Sequence, residues 1–198
     1  MRWGWATVAV VGLVIVGSSI VAVRRPTIPG WEQRVFHAVN GLPAWLYWPL
    51  WLPMQVGNLV VGALAGLAVA GWAHRLDVAV GVVVATVLKL VTERLVRHRM
   101  ASWLTVRQRP GTSEEGAVLR GDVPVSGPSF PSGHVILVAA IACLVAPLVP
   151  VAVSWLPFVI AVSVMVGRVY VGAHNPLDVT AGLGCGLLLG GLVTAILA

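Results

Sequence analysis

The sequence predicts an all-α, polytopic membrane protein: six transmembrane helices, an interfacial helix after the first, and a polar loop between helices three and four, in a single domain over residues 1–198. Three observations carry that prediction. Hydrophobic residues make up 58% and charged residues 10% of the 198 positions, against roughly 45–50% and about 25% in ordinary globular chains, so a water-facing shell cannot be built. The mean hydropathy is +0.92. Uncharged runs of near-spanning length recur along the chain, which makes the bilayer the solvent. Disorder, a collagen-like repeat and a disulfide scaffold are excluded by the same composition, with only two cysteines present.

Each element follows in order. Residues 5–23 carry no charge and match the hydrocarbon thickness at 1.5 Å per residue. They read as span one, because a signal peptide has a shorter apolar core and a small-residue cleavage site. In residues 31–40, Trp31, Val35, Phe36 and Val39 recur at helical spacing opposite Glu32, Gln33 and Arg34, the pattern of a helix lying in the interface. Pro43, Pro49 and Pro53 with Trp45, Tyr47, Trp48 and Trp51 form an aromatic belt that leads into span two, residues 54–73. After the polar turn His74-Arg75-Leu76-Asp77, span three runs over 78–96, with Lys89, Glu93 and Arg94 near its far end. Ionisable groups at such depth pair, reach the interface or serve a site.

Residues 97–130 form the only long polar stretch, rich in Gly and Pro, and read as a loop outside the membrane. Residues 135–167 carry no charge and contain Pro147, Pro150 and Pro157. That is too much apolar chain for one span, so two helices in a hairpin are expected, 133–149 and 151–169. Span six is 179–198, where Gly182, Gly184, Gly186, Gly190 and Gly191 have the small-residue spacing of close helix packing. Cys143 and Cys185 sit in apolar runs and read as small hydrophobes.

The formal charge of +6 and pI near 10.7 do not point to nucleic acid, since apolar runs separate the basic residues; a membrane surface or an anionic substrate explains them better. Twelve arginines against one lysine suggest a GC-rich bacterial genome. Alternating the spans gathers the polar features on one membrane face: the end of span three, the long loop, the starts of spans four and six, and the end of span five.

Three motifs meet there: Arg109-Pro110, Pro131-Ser132-Gly133-His134, and Arg168 with His174 and Asp178. Their residue types describe an oxyanion site. Arg109 and Arg168 offer planar forks of donors for phosphate oxygens, and Ser132 with the Gly133 amide stands where a helix begins, where free N–H groups face an anion. His134 and His174 can divide nucleophilic and acid duties. Asp178, one turn from His174, is placed to accept an imidazole N–H. Plainer readings exist: Ser132 as a helix N-cap, Arg168 reaching a headgroup, Asp178 complementing a helix dipole, and Lys89 paired with Glu93. His37, His74 and His98 read as solvated or packing residues.

These strings resemble the three-part signature of the type 2 phosphatidic acid phosphatases, integral-membrane lipid phosphate phosphatases. The resemblance covers residues 89–178 by motif and the whole chain by its layout. It implies a metal-independent phosphatase without a cofactor, in which His174 attacks phosphorus to form a phosphohistidine, Asp178 orients it, and His134 protonates the leaving oxygen and later activates water. Arg109, Ser132, Gly133 and Arg168 would hold the phosphate. Two departures stand out. The first motif of the family has a lysine seven positions before its arginine, where this chain has Ser102, leaving Lys89, Arg97, Arg99 and Arg107 as candidates for a second cation. The third motif has a serine before its arginine, where this chain has Gly167.

The resemblance implies hydrolysis of a membrane lipid phosphate, such as phosphatidic acid or phosphatidylglycerol phosphate, or of a polyprenyl diphosphate. Alternatives are a lipid-linked phosphotransferase using the same site and a non-catalytic lipid-phosphate binding or transport protein. Eleven of the thirteen Lys and Arg residues fall on the site's face, which the positive-inside rule would place in the cytoplasm. Many members of the resembling family work on the outer side, so the side stays open, as does oligomeric state.

Overall fold

The computed structural model describes residues 2–24, 27–100 and 107–197, and among them the chain is helical with no strand. The helices are α1 (Arg2–Val23), α2 (Gly30–Asn40), α3 (Tyr47–Val56), α4 (Leu59–Trp72), α5 (Leu76–Met100), α6 (Pro110–Ser113), α7 (Gly133–Val145), α8 (Leu156–Tyr170) and α9 (Pro176–Leu197). Short 3₁₀ turns precede α3 and link α7 to α8.

α7 is the central element. All of its residues except His134 are buried, and it packs against α4, α5, α8 and α9, as expected of a helix that is hydrophobic all round. The outer helices expose large aliphatic side chains instead, among them Leu13 and Val14 on α1, Leu64 on α4, Val83 and Val87 on α5, and Val162 on α8. That apolar exterior has the bilayer as its natural partner.

Glycines set how closely α9 is clasped. A Cβ on Gly184 would lie 2.6 Å from the Val16 amide of α1, and one on Gly186 would lie 2.6 Å from the Ile136 carbonyl oxygen of α7. α9 is therefore held backbone to backbone on two sides, the arrangement that small-residue spacing permits. Cys143 and Cys185 are free and buried.

Among the described residues, three helices are long and apolar enough to cross a membrane: Gly4–Val23, Val151–Tyr170 and Pro176–Leu197. The second expected span is not one straight helix. Ala44–Val56 and Leu59–Trp72 meet at a 68° bend, because Asn58 starts a new helix by accepting hydrogen bonds from the Val60 and Val61 amides at 3.0 and 3.5 Å. The expected third span is helical as α5, but Lys89, Glu93 and Arg94 keep it out of the strictly apolar set. The expected fourth is a shorter apolar helix, Gly133–Leu148; enclosed by its neighbours, it has no need to match the bilayer thickness on its own.

α2 forms as expected but with a different buried face. Glu32, Phe36 and Asn40 point inward, while Trp31 and Val35 are exposed. Asn40 ties the polar loop to the bundle: its Nδ2 donates to the Val118 and Tyr170 carbonyls, both at 2.9 Å, and its Oδ1 accepts from the Val118 amide at 2.8 Å. Arg120 adds a hydrogen bond of 2.6 Å to the Tyr170 carbonyl and stacks over the Tyr170 ring. The loop is thereby pressed onto the ends of α2 and α8.

Candidate active site

The loop, α5, α7, α8 and α9 converge at one end of the bundle. The first turn of α9 brings Asp178 one helical turn beyond His174, with the imidazole Nδ1 3.8 Å from Asp178 Oδ2. That oxygen also accepts from the Asn175 amide at 2.8 Å. Asp178 is fully buried and His174 nearly so, and His174 Nδ1 has no hydrogen-bond partner, its separation from Asp178 being that of an ion-pair contact. Burial pushes the His174 pKa below the ordinary imidazole value, with Asp178 pulling the other way. The ring is therefore neutral near pH 7, with a lone pair to offer.

Ser132 occupies the N-cap position of α7 without capping it. Its backbone amide donates to the Asp178 carbonyl at 3.0 Å, and its buried hydroxyl has no hydrogen-bond partner. The simple N-cap reading therefore fails, and the hydroxyl is left for a ligand. Arg168, on the last turn of α8, likewise has a buried Nε with no partner. Arg109 donates to the Ala173 carbonyl at 2.9 Å and lies within electrostatic reach of Arg168. Two guanidinium groups therefore stand near one another at this end of the bundle.

His134 is within electrostatic reach of Arg168, His174, Lys89 and Arg109. With Arg168 it lines a cavity of about 420 Å³ whose wall includes Tyr47, Trp51, Asn58 and Arg120. The seven residues expected from sequence thus come to one end of the fold. His37 stands apart, 3.5 Å from Glu114, and His74 and His98 are exposed.

Two of the four candidates for a second cation have described side chains. Lys89 is buried and pairs with Glu93 at 2.9 Å. A Cβ on Gly133 would fall 1.5 Å from Glu93 Oε1 and 3.1 Å from Lys89 Cε, so the pair lies directly over the start of α7. Arg107 is turned elsewhere: its Nε donates to Asp178 Oδ1 at 2.7 Å and its Nη2 to Glu32 Oε1. Ser102 lies outside the described residues, as do the side chains of Arg97 and Arg99. Sequence reasoning did not place Glu32 here. Its only local signal is an acidic residue on a short amphipathic helix, and no spacing rule connects position 32 to 107 or 178.

The PAP2 superfamily model matches residues 78–198, more than half of the chain. Comparison with curated protein sequences gives no match. LpxE of Aquifex aeolicus is similar in fold, with a TM-score of 0.68 and 22% identity, over 81% of this chain and 92% of that one. The transmembrane PAP2-type phosphatidylglycerolphosphate phosphatase of Bacillus subtilis is similar with a TM-score of 0.58 and 22% identity, over 97% and 94%. With the motif residues assembled at one end of the bundle and the family match covering that region, the chain belongs to the PAP2 superfamily, the type 2 phosphatidic acid phosphatases.

Proposed function

We propose that this protein hydrolyses a lipid phosphate or a polyprenyl diphosphate through a phosphohistidine on His174, without a metal ion. The observation that carries the reading is the near-buried His174–Asp178 pair facing a place where Arg168 Nε and Ser132 Oγ have no partner. His174 Nδ1 faces Asp178, so Nε2 is the attacking nitrogen. As the N–P bond forms, the bond from phosphorus to the leaving oxygen breaks, and His134, entering this step as the imidazolium, donates its proton to that oxygen and becomes neutral. His134 then takes a proton from water, whose oxygen attacks phosphorus, frees inorganic phosphate and restores the neutral His174.

Arg109, Arg168, Ser132 Oγ and the Gly133 amide hold the phosphoryl oxygens, with Lys89 as the further cation. Phosphoryl transfer needs mainly positioning and charge stabilisation, and these donors supply both. The reading carries an architecture with it: a single-domain bacterial cell-membrane protein of six spans, with α2 in the interface and the lipid tail left among the helices. One solved structure similar in fold is by name a transmembrane PAP2-type phosphatidylglycerolphosphate phosphatase, which agrees with this reading.

The test is phosphate release by the purified protein from short-chain phosphatidic acid, phosphatidylglycerol phosphate and a polyprenyl diphosphate. His174→Ala is expected to abolish release while the protein still elutes as a folded species. Full activity in that variant refutes the assignment.

A further inference from the structure

The nucleophile's carboxylate partner is not alone. Asp178 Oδ1 accepts from Arg107 Nε at 2.7 Å, and the same guanidinium donates through Nη2 to Glu32 Oε1. Glu32 Oε1 also accepts from the Leu177 amide at 2.8 Å, in the first turn of α9. Both carboxylates are fully buried, and the Arg107 side chain is 9% exposed. Thus a carboxylate from α2, outside the region matched by the family, reaches the residue that backs His174.

We propose that Glu32 and Arg107 are positioning residues that set the charge Asp178 presents to His174. The argument is one of charge balance. Asp178 with Arg107 alone would be a neutral pair, leaving little field at the imidazole. Glu32 neutralises Arg107, so the trio carries one net negative charge beside His174. At the same time Arg107 and the Asn175 amide fix both Asp178 oxygens, and Glu32 anchors the turn of α9 that carries the carboxylate. A buried charge is costly without a partner, and Glu32, on a helix otherwise suited to the interface, has a partner only through this arrangement.

The inference rests on His174 as nucleophile, and the experiment separates the two. Other charged or titratable groups facing His174 are Arg168 of α8, Arg109 of the loop and His134 of α7, with Lys89 of α5 reaching His134; Glu114 of the loop, beside His37 of α2, is within electrostatic reach of Glu32 and Arg107. They are common to all variants, as is ionisation of the substrate. The acid limb of kcat/KM against pH reports protonation of the free enzyme's base. Glu32→Gln removes a negative charge and should move that limb to lower pH, whereas Arg107→Gln removes a positive charge and should move it to higher pH. Each shift is expected to be on the order of half a unit or more, and the double variant should return towards the parent profile.

Short-chain phosphatidic acid serves as substrate, with thermal unfolding in detergent run alongside. Glu32→Asp, which keeps the charge, should hold the limb near its parent position even where stability falls. Limbs that stay in place, or that move the same way in both single variants, overturn the proposal while an inactive His174→Ala leaves the nucleophile standing. Activity in His174→Ala would instead remove the reading on which it rests. If Arg107→Gln does not fold, Glu32→Gln against Glu32→Asp decides by the same limb.

Discussion

Arginine meets carboxylate in two regions of this protein, with opposite results. At the start of α5, Arg75 holds Asp77 through two hydrogen bonds of 2.9 and 2.6 Å, and both side chains stand in the open, 49% and 37% exposed. At the other region Arg107 grips Glu32 and Asp178, both without exposure. The hydrogen bonds from Arg75 draw Asp77 down to about 2. Burial instead holds Glu32 above the ordinary carboxylate range, although Arg107 and the Leu177 amide pull it down. The same partner chemistry therefore shifts two carboxylates in opposite directions. The difference teaches that desolvation decides the sign: in water a guanidinium simply favours the anion, whereas inside the fold it largely offsets what burial costs.

The largest expected effect breaks the buried side of this comparison. Arg107→Ala strands two buried carboxylates, and removal of one partner from a buried pair costs about 3–5 kcal/mol. Thermal unfolding in detergent should show it as a large drop in midpoint, with turnover reduced as well. An intermediate effect is expected at Lys89–Glu93, whose side chains are 10% and 16% exposed. Gly133→Ala places a methyl group where Glu93 Oε1 now lies, so the pair must shift away from the start of α7. Turnover should fall on the order of tenfold, equivalent to roughly 1.4 kcal/mol in the barrier, while the midpoint changes little. Unchanged turnover there would show that the pair is only structural. The smallest effect belongs to Arg75→Ala, which should leave both phosphate release and the unfolding midpoint where they were, since exposed pairs contribute little.

Acid titration sharpens the same contrast. Asp77 is depressed in the folded state, so the stability it contributes is present above the unfolded value and lost as pH falls towards 2. Glu32 is raised, so the folded state holds its proton longer than the unfolded chain, and this group's contribution declines as pH rises through the native value. Comparing unfolding midpoints of the parent with Glu32→Gln and with Asp77→Asn, from pH 3 to 7, should show a clear fall with rising pH for Glu32 and, for the exposed Asp77, at most a slight slope of opposite sign confined to the acid end below about pH 4.

Much of the site was legible because its motifs are short and local. His174 and Asp178 lie four residues apart, one helical turn, and Pro131-Ser132-Gly133-His134 opens a helix, so spacing alone brings each motif's members together. The choice among Lys89, Arg97, Arg99 and Arg107 was not legible, because it depends on which way each side chain turns once the loop has packed. Lys89 turns to Gly133; Arg107 turns to Asp178. The bend at Asn58 had a local cue in an N-capping residue, hidden within an apolar run that hydropathy reads as continuous. Helical spacing puts Glu32 on the same face as Phe36 and Asn40, but its charge argued for the water side, and no local signal could foresee a guanidinium arriving from position 107.

By itself the sequence determined the solvent, the helical class and the family of site residues, since hydropathy, periodicity and motif spacing are local properties of the chain. Only the tertiary structure decided which cation serves which anion, how α3 and α4 part, and how Glu32 comes to stand behind Asp178. Coulomb interaction and desolvation depend on distance through space and on burial, and neither quantity exists until the helices have packed.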